Sequence, residues 1–499
     1  MFSQGCRDYC PSKPIDDKDV PPLGAAKRSQ RGLPMNTTQQ RSTLAVASLA
    51  TLATFLDTSL LYVAFPAITS TYGETSATTL SWVLNGYTIV FAALLIPAGQ
   101  YADRLGHRRV FLQGSAFFTA ASVACGLAPT AEMLILFRVL QAVGAAALIP
   151  SSLALIIGAF DHAALPRAVA IWGAASAVAG SIGPTLGALL IEGMGWRWGF
   201  FINLPVGVYT LIAGRRTLVE STVEDSTVAS PVGIALVVVA ATTLSFSIVQ
   251  TESTGWLTGR TVFFLLLGLL VTGAFISHQS RTKSPVLDLN LFTIQNFRWA
   301  NIAMIVFGTA FSALFFGSIL FLTDVWGWSV LAAGFGIAPG PAIVAIVAPR
   351  AGKLAGRIGQ RPILIAGGAL FAASGLHRVF FLTSTTNYVT DWLPSMVLSG
   401  IGVGCVFPQL ASVAAQALPP HRRGVGGAAV QSARQLGGTF GVAITIALVN
   451  DRSSDLLSRY GRVWWVITVG GLLAAAAAVP LRTHITRSEP LAHSSQTQG

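Results

Sequence analysis

The chain has 499 residues, of which 53% are hydrophobic and only 10% charged, and its mean hydropathy is +0.64. Water-soluble proteins carry about 25% charged residues, so a soluble enzyme or binding module is excluded and most of the chain has lipid as its solvent. The formal charge of +12 would suggest nucleic acid in a soluble domain; in a membrane chain its placement along the sequence matters more, and no nucleic-acid partner is expected.

Residues 1–42 are polar and Pro-containing and read as a disordered cytoplasmic tail with no core to join. No cleavable signal peptide is expected, and Met35, followed by "NTTQQR", offers a second start just ahead of the first apolar run. Cys6 and Cys10 in this tail have no His nearby, so they read as reduced thiols; no metal and no cofactor is expected. Runs near the 20 or so apolar residues needed to cross a bilayer then follow at 44–67, 80–101, 110–128, 132–158, 168–191, 198–214, 231–250, 261–278, 300–323, 329–349, 362–382, 392–416, 424–449 and 463–481. This predicts an all-α polytopic membrane protein with fourteen transmembrane helices. Prolines at 66, 97, 150, 184, 205, 339, 341, 394 and 408 are tolerated in such helices and predict bends.

Lys and Arg set the orientation. With the amino terminus inside, 24 of the 32 fall in cytoplasmic segments and five in outer loops (Arg197, Arg260, Arg452, Arg459, Arg462). Both termini are therefore expected in the cytoplasm, at a cell (plasma) membrane. The stretch "GQYADRLGHRRV" at 99–110 recurs without a gap as "GKLAGRIGQRPI" at 352–363, each copy joining two apolar runs. An internal repeat of that kind predicts two six-span halves, 43–217 and 299–483, separated by a two-span insert with its connection at 218–298 and followed by a cytoplasmic tail at 484–499. Halves so related place a substrate site between them near mid-membrane.

Charges inside the spans are the sharpest candidates. Asp57 lies roughly 20 Å from the inner end of its span, and Arg138 roughly 10 Å from the outer end of its own, depths that agree in a core about 30 Å thick. A lone charge there costs at least about 2.5 kcal/mol on insertion scales, which predicts an Asp57–Arg138 pair or a shared water network. Such a pair is either part of proton coupling or purely architectural. Arg434 sits at a comparable depth, roughly 16 Å from the inner end. Arg378, nearer the outer end of its span, is expected to snorkel into the headgroups. Asp324 and Glu132 are expected to be solvated, and Trp196, Trp198, Trp326 and Trp328 to sit at the interface.

"GQYADRLGHRR" resembles the loop motif of the major facilitator superfamily. Five further stretches resemble its fourteen-span drug:proton antiporter branch: "FLDTSLLYVAFPAI", "FRVLQAVGAAALIPSSLALI", "GSIGPTLGALL", "GWRWGFFINLPVGV" and "RGVGGAAVQSARQLGGTFGVAI". The resemblance spans roughly residues 43–483. It implies the major facilitator fold, no catalytic residue, a cytoplasmic loop gate of Gly99, Asp103, Arg104, Gly106 and Arg108, and a span-five antiporter motif of Gly183, Pro184 and Gly187 that seals the halves against a proton leak. Proton coupling is expected of the intramembrane charges Asp57 and Arg138, where burial and an opposite charge act against each other on the carboxylate, and of Arg434, which matches an arginine of the family pattern. Two departures from the pattern matter. His107 stands where an arginine is usual, and Gly356 of the second copy replaces Asp103, so an Asp-based latch between the halves would be one-sided. The expected function is proton-coupled export of amphipathic, often cationic, organic compounds by a monomer. Its alternatives are export of an endogenous metabolite or lipid, and a non-transporting sensor. No phosphate-binding G-x-x-x-x-G-K-[ST] loop is present, so an ATP-driven pump is not expected.

Overall fold

The computed structural model describes residues 36–160, 164–222, 229–249, 258–418, 423–451 and 455–482. Cys6, Cys10, Met35, Arg452 and the expected carboxy-terminal tail lie outside them. The described residues form long helices throughout: α1 (Thr37–Thr71), α2 (Trp82–Leu105), α3 (His107–Gly126), α4 (Ala131–Ala159), α5 (Leu165–Met194), α6 (Asn203–Thr217), α7 (Pro231–Val249) and α8 (Gly259–Arg281). They continue as α9 (Gln295–Asp324), α10 (Val330–Ile358), α11 (Gln360–Phe381), α12 (Leu393–Gln416), α13 (Arg423–Val449) and α14 (Leu456–Ala478). α1 begins before residue 43, because the Asn36 side chain caps it by accepting from the Gln39 amide at 2.8 Å. Gln39 and Gln40 then donate to the free carbonyls of Thr217 and Ala159.

Eleven of the described helices are long and apolar enough to cross a membrane; α5 makes twelve if its arms, Ile171–Gly180 and Ile182–Met194, bent by 46°, count as one span. The bend falls where Pro184 removes a backbone donor and crowds the carbonyl four residues earlier. Fourteen spans were expected, and α3 and α6 account for the difference. α3 spends polar residues on protein contacts: Ser115 bonds Thr210 of α6 at 2.8 Å, and Ser122 donates to the Phe200 carbonyl at 2.9 Å. α6 has only fifteen residues.

The helices pack as two groups of six. In the first, α3 lies on α4, α1 on α5, α2 on α4, α3 on α6 and α1 on α6; in the second, α11 lies on α12, α9 on α13, α10 on α12, α11 on α14 and α9 on α14. Each pairing recurs eight labels later, the packing counterpart of the repeated loop. The repeat extends to the backbone: Gly106 and Gly359, matched between the copies, both turn one helix into the next at positive φ (106° and 88°), a conformation that glycine adopts at little cost. Glycines also bring the equivalent pairs together closely. Gly183 and Gly187 let α5 lie against Ser59 and Leu60 of α1, and Gly437 and Gly441 let α13 lie against the α9 backbone.

The groups meet along α2 with α13, α5 with α10, and α1 with α9. Thr88 bonds Thr439 at 2.7 Å and Ser432 donates to the Ala92 carbonyl at 2.8 Å across the first seam. α7 and α8 pack on each other, with α7 also against α2 and α13. Leu266, Leu269 and Leu270 on α8 are exposed, as suits a helix facing lipid.

Candidate functional site

Asp57 and Arg138 are brought together by α1 and α4. Arg138 Nη1 donates to Asp57 Oδ2 at 2.6 Å, with both side chains 1% exposed. The carboxylate is caged further: Gln141 Nε2 and Asn203 Nδ2 each donate to Oδ1 at 2.9 Å. Arg138 also donates to Gln141 Oε1 at 2.6 Å and to the Val83 carbonyl at 3.2 Å, and it lies 4.0 Å from the centre of the Tyr87 ring. A buried pair with its remaining donors and acceptors satisfied is stable as a unit, and removing either partner leaves an uncompensated charge at a cost of about 3–5 kcal/mol. Gln141 shared a signal with Arg138, standing three residues on along one helix face. Asn203 and Tyr87, on other helices, had no such local signal.

Between the two groups lies a cavity of about 480 Å³, within the range of small-molecule sites. α1, α2, α5, α9, α10, α12 and α13 contribute to its lining, with hydroxyls from Thr58, Ser59, Thr88, Ser312 and Ser399 and rings from Phe55, Tyr62, Phe311, Phe315 and Phe407. Asp57 is not on this wall, but its neighbours Thr58 and Ser59 are. Arg434 is, held over the rings of Phe55 at 5.5 Å and Phe407 at 5.1 Å. The structure thus pairs two of the three expected coupling residues and sets the third on the cavity wall. No acidic side chain is among the described lining residues, so the wall offers an often cationic cargo no counter-charge.

The span-five motif lies beside the cavity. Gly183 and Gly187 face α1, while the carbonyl of Pro184 and the methyl of Ala188 pack against Gly334 of α10, where an added Cβ would stand 2.8 and 2.7 Å from them. Tyr62 and Phe65 of α1 meet Phe315 and Phe316 of α9 with ring centres 5.1–5.8 Å apart. These contacts join the groups on the side of the cavity away from the repeated loop.

In that loop Asp103 pairs with His107 at 3.4 Å, one turn along; among the described residues this is a local pair rather than a bridge between the groups. Arg104 is exposed, Gly99 packs on Pro150 and Gly356 faces open space. Glu220 was not singled out from sequence, yet it organises the turn. Its carboxylate accepts from the backbone amides of Arg108 at 2.9 Å and Arg109 at 3.1 Å, capping the α3 amino terminus, and any side chain at Gly106 would collide with it. Arg108 in turn donates to the Arg215 carbonyl at 2.8 Å. Glu220→Ala is expected to cost about 1 kcal/mol, the usual loss of a helix cap, read as a lower melting temperature of the purified protein; an unchanged melt would show that the cap is dispensable.

Arg378 does not reach headgroups. It is 1% exposed, donates to Ser318 at 2.7 Å and Ser395 at 3.1 Å, and lies against Trp392 and Trp464. The extended stem that would have snorkelled is walled in by α9, α12 and α14. Asp324 and Glu132 are exposed, with Asp324 accepting from the Tyr460 hydroxyl at 2.6 Å. Of the interfacial tryptophans, Trp198 is exposed, Trp328 partly so, and Trp196 and Trp326 are buried.

A model of the Major Facilitator Superfamily matches residues 47–442. The chain is 32% identical to the cephamycin export protein CmcT of Amycolatopsis lactamdurans, over 93% of this chain and 96% of that one. It is 32% identical to the multidrug resistance protein Stp of Mycobacterium tuberculosis, over 91% and 80%, and 29% identical to the multidrug export protein EmrB of Escherichia coli, over 82% and 80%. In fold it is similar to an auto-inhibited peptide transporter of the POT family, with a TM-score of 0.66 over 91% of this chain and 99% of that one at 16% identity.

Proposed function

Because the chain belongs to the major facilitator superfamily, a family of membrane transporters and not of enzymes, we propose that it is a proton-coupled exporter of amphipathic organic compounds. The observation that carries this reading is the cavity between the two groups of helices, with an ion-paired carboxylate one residue behind its wall. Relatives named for the export of drugs and of an antibiotic support the direction and the class of cargo.

In this reading the two six-helix halves rock against each other about the cavity, in a plasma membrane with both termini on the cytoplasmic side. All fourteen helices cross: α3 completes its hydrogen bonds within the protein, and α6 with the turn before it, residues 198–217, reaches about 30 Å. Asp57 takes up and releases the coupling proton. Since α1 carries both Asp57 and the cavity residues Phe55, Thr58 and Tyr62, cargo that shifts α1 also disturbs the cage around the carboxylate. A ligand moves such an equilibrium only through its different affinity for the two states.

Everted vesicles containing the full chain test the reading. A proton gradient, acid inside, is expected to drive accumulation of an amphipathic fluorescent dye, and a protonophore to release it. A 100 mV potential is worth about 2.3 kcal/mol per charge moved, so accumulation of roughly fiftyfold per coupled proton is within reach. Cargo binding without movement would favour a sensor, and movement of native metabolites but of no dye would favour a dedicated metabolite exporter.

A further inference from the structure

Arg434 is the one charged side chain among the described residues lining the cavity. A guanidinium stays protonated in proteins, so the cavity holds a standing positive charge. No carboxylate or hydrogen-bond acceptor of the described residues is paired with it; its close neighbours are the rings of Phe55 and Phe407, at 5.5 and 5.1 Å. Ring faces attract a cation without neutralising it. Nor can the residue easily withdraw. Its backbone carbonyl lies 2.9 Å from where a Cβ on Gly308 would stand, and Gly437 and Gly441 press the next turns of α13 onto α9. Asp57 offers no compensation, since its oxygens already accept from Arg138, Gln141 and Asn203 and it does not reach the cavity surface.

A cation entering this cavity would meet repulsion and no carboxylate, whereas an anion would meet an unpaired donor set shaped for a carboxylate or similar oxyanion. From this juxtaposition we infer that the cargo is an amphipathic organic anion, its charged oxygens held by Arg434 and its apolar body laid against Phe311, Met396 and Val403. The inference rests on the exporter reading and names its cargo class; it replaces the cationic expectation and moves Arg434 from proton coupling to cargo recognition. An electrical consequence follows. An anion leaving as one proton enters moves two charges in the same sense, so the membrane potential drives export alongside the pH gradient.

Three dansyl compounds of one skeleton provide the test: dansylglycine, its neutral methylamide, and dansyl-ethylenediamine, which is cationic. Binding to the purified full chain is read from dansyl emission, with melting curves run on every variant. The wild type is expected to bind dansylglycine about tenfold or more tighter than the methylamide, as a charge-assisted hydrogen bond allows, and to bind the cation most weakly. Arg434→Gln should bring the anion-to-neutral ratio near one, Arg434→Lys should keep part of it, and Arg434→Glu should invert the order. Equal wild-type affinity for anion and neutral compound, or an anion preference that survives Arg434→Gln, would overturn the inference, and the wild-type series decides even if a variant fails to fold. The two readings fail separately. Arg434-dependent anion binding with no uphill movement in everted vesicles removes the exporter, while uphill movement of all three compounds without preference keeps the exporter and removes the anion site.

Discussion

Asp57→Asn is expected to abolish proton-driven efflux while exchange of cargo down its own electrochemical gradient persists. The substitution keeps size and shape and removes the negative charge that Arg138, Gln141 and Asn203 converge on; on the proposed reading the protein then has no group to take up the coupling proton, while the residues of the cavity wall are unchanged. Without that step, accumulation should lose the roughly fiftyfold per 100 mV that one coupled proton supplies and fall to the level set by the cargo's own electrochemical gradient. Asp57→Glu keeps the charge but lengthens the side chain into a cage whose bonds are 2.6–2.9 Å long, so partial activity with a displaced pH optimum is expected. Arg138→Ala should also fail; since Arg138→Ala and Asp57→Asn each leave one buried charge of the pair alone, about 3–5 kcal/mol of destabilisation is expected for either, and for both variants surface expression and thermal stability separate misfolding from lost coupling. If Asp57→Asn is expressed normally and still concentrates cargo with wild-type pH dependence, the cluster is architectural and the proton is carried elsewhere.

The parts of this site that could be read from sequence are those fixed by distance along one helix. A rise of about 1.5 Å per residue set Asp57 and Arg138 at one depth, and the same rise puts Gln141 beside Arg138. What joins the cluster from elsewhere was illegible for the same reason: Asn203 and Tyr87 arrive on α6 and α2, and helix geometry says nothing of which helices touch. Arg378 shows the opposite error. Depth along a helix does not distinguish a lipid-facing from a protein-facing side chain, and Ser318, Ser395 and two tryptophans surround Arg378. Glu220, more than 100 residues from the amides it caps, belongs to a contact made only once α6 and α3 have packed. The fold itself was largely readable from apolar run length and the repeated loop. The count of spans was less so, because α3 hides Ser115, Thr119 and Ser122 against its neighbours and so tolerates a polarity that lipid would not.

Gly334→Leu is expected to stop turnover by holding open the end of the cavity away from the repeated loop. A Cβ on Gly334 would already stand 2.7 Å from the Ala188 methyl and 2.8 Å from the Pro184 carbonyl, and leucine adds three further carbons in the same direction. α5 cannot yield by backing away, because Gly183 and Gly187 leave no space between it and Ser59 and Leu60 of α1. Overpacking of this kind costs about 1–3 kcal/mol. Where two conformations compete, strain present in only one of them shifts the balance by about 5- to 150-fold, and the strain at Gly334 disappears once α5 and α10 part. The variant should therefore fold but rest with that end open. Ser312→Cys, placed on the cavity wall, reads the change: an impermeant maleimide added from that side should label it in the Gly334→Leu background and spare it in the parent. If the span-five motif also seals against protons, vesicles carrying Gly334→Leu should dissipate an imposed pH gradient faster than vesicles carrying the parent. Gly356→Leu, near the other end of the same helix where an added Cβ meets nothing within 4 Å, is the control and should match the parent in both assays. Protection of Ser312→Cys in both backgrounds together with normal turnover would show that the contact between Pro184 and Gly334 is ordinary packing and that closure is made elsewhere, leaving the aromatic contacts of Tyr62 and Phe65 with Phe315 and Phe316 as the next place to look.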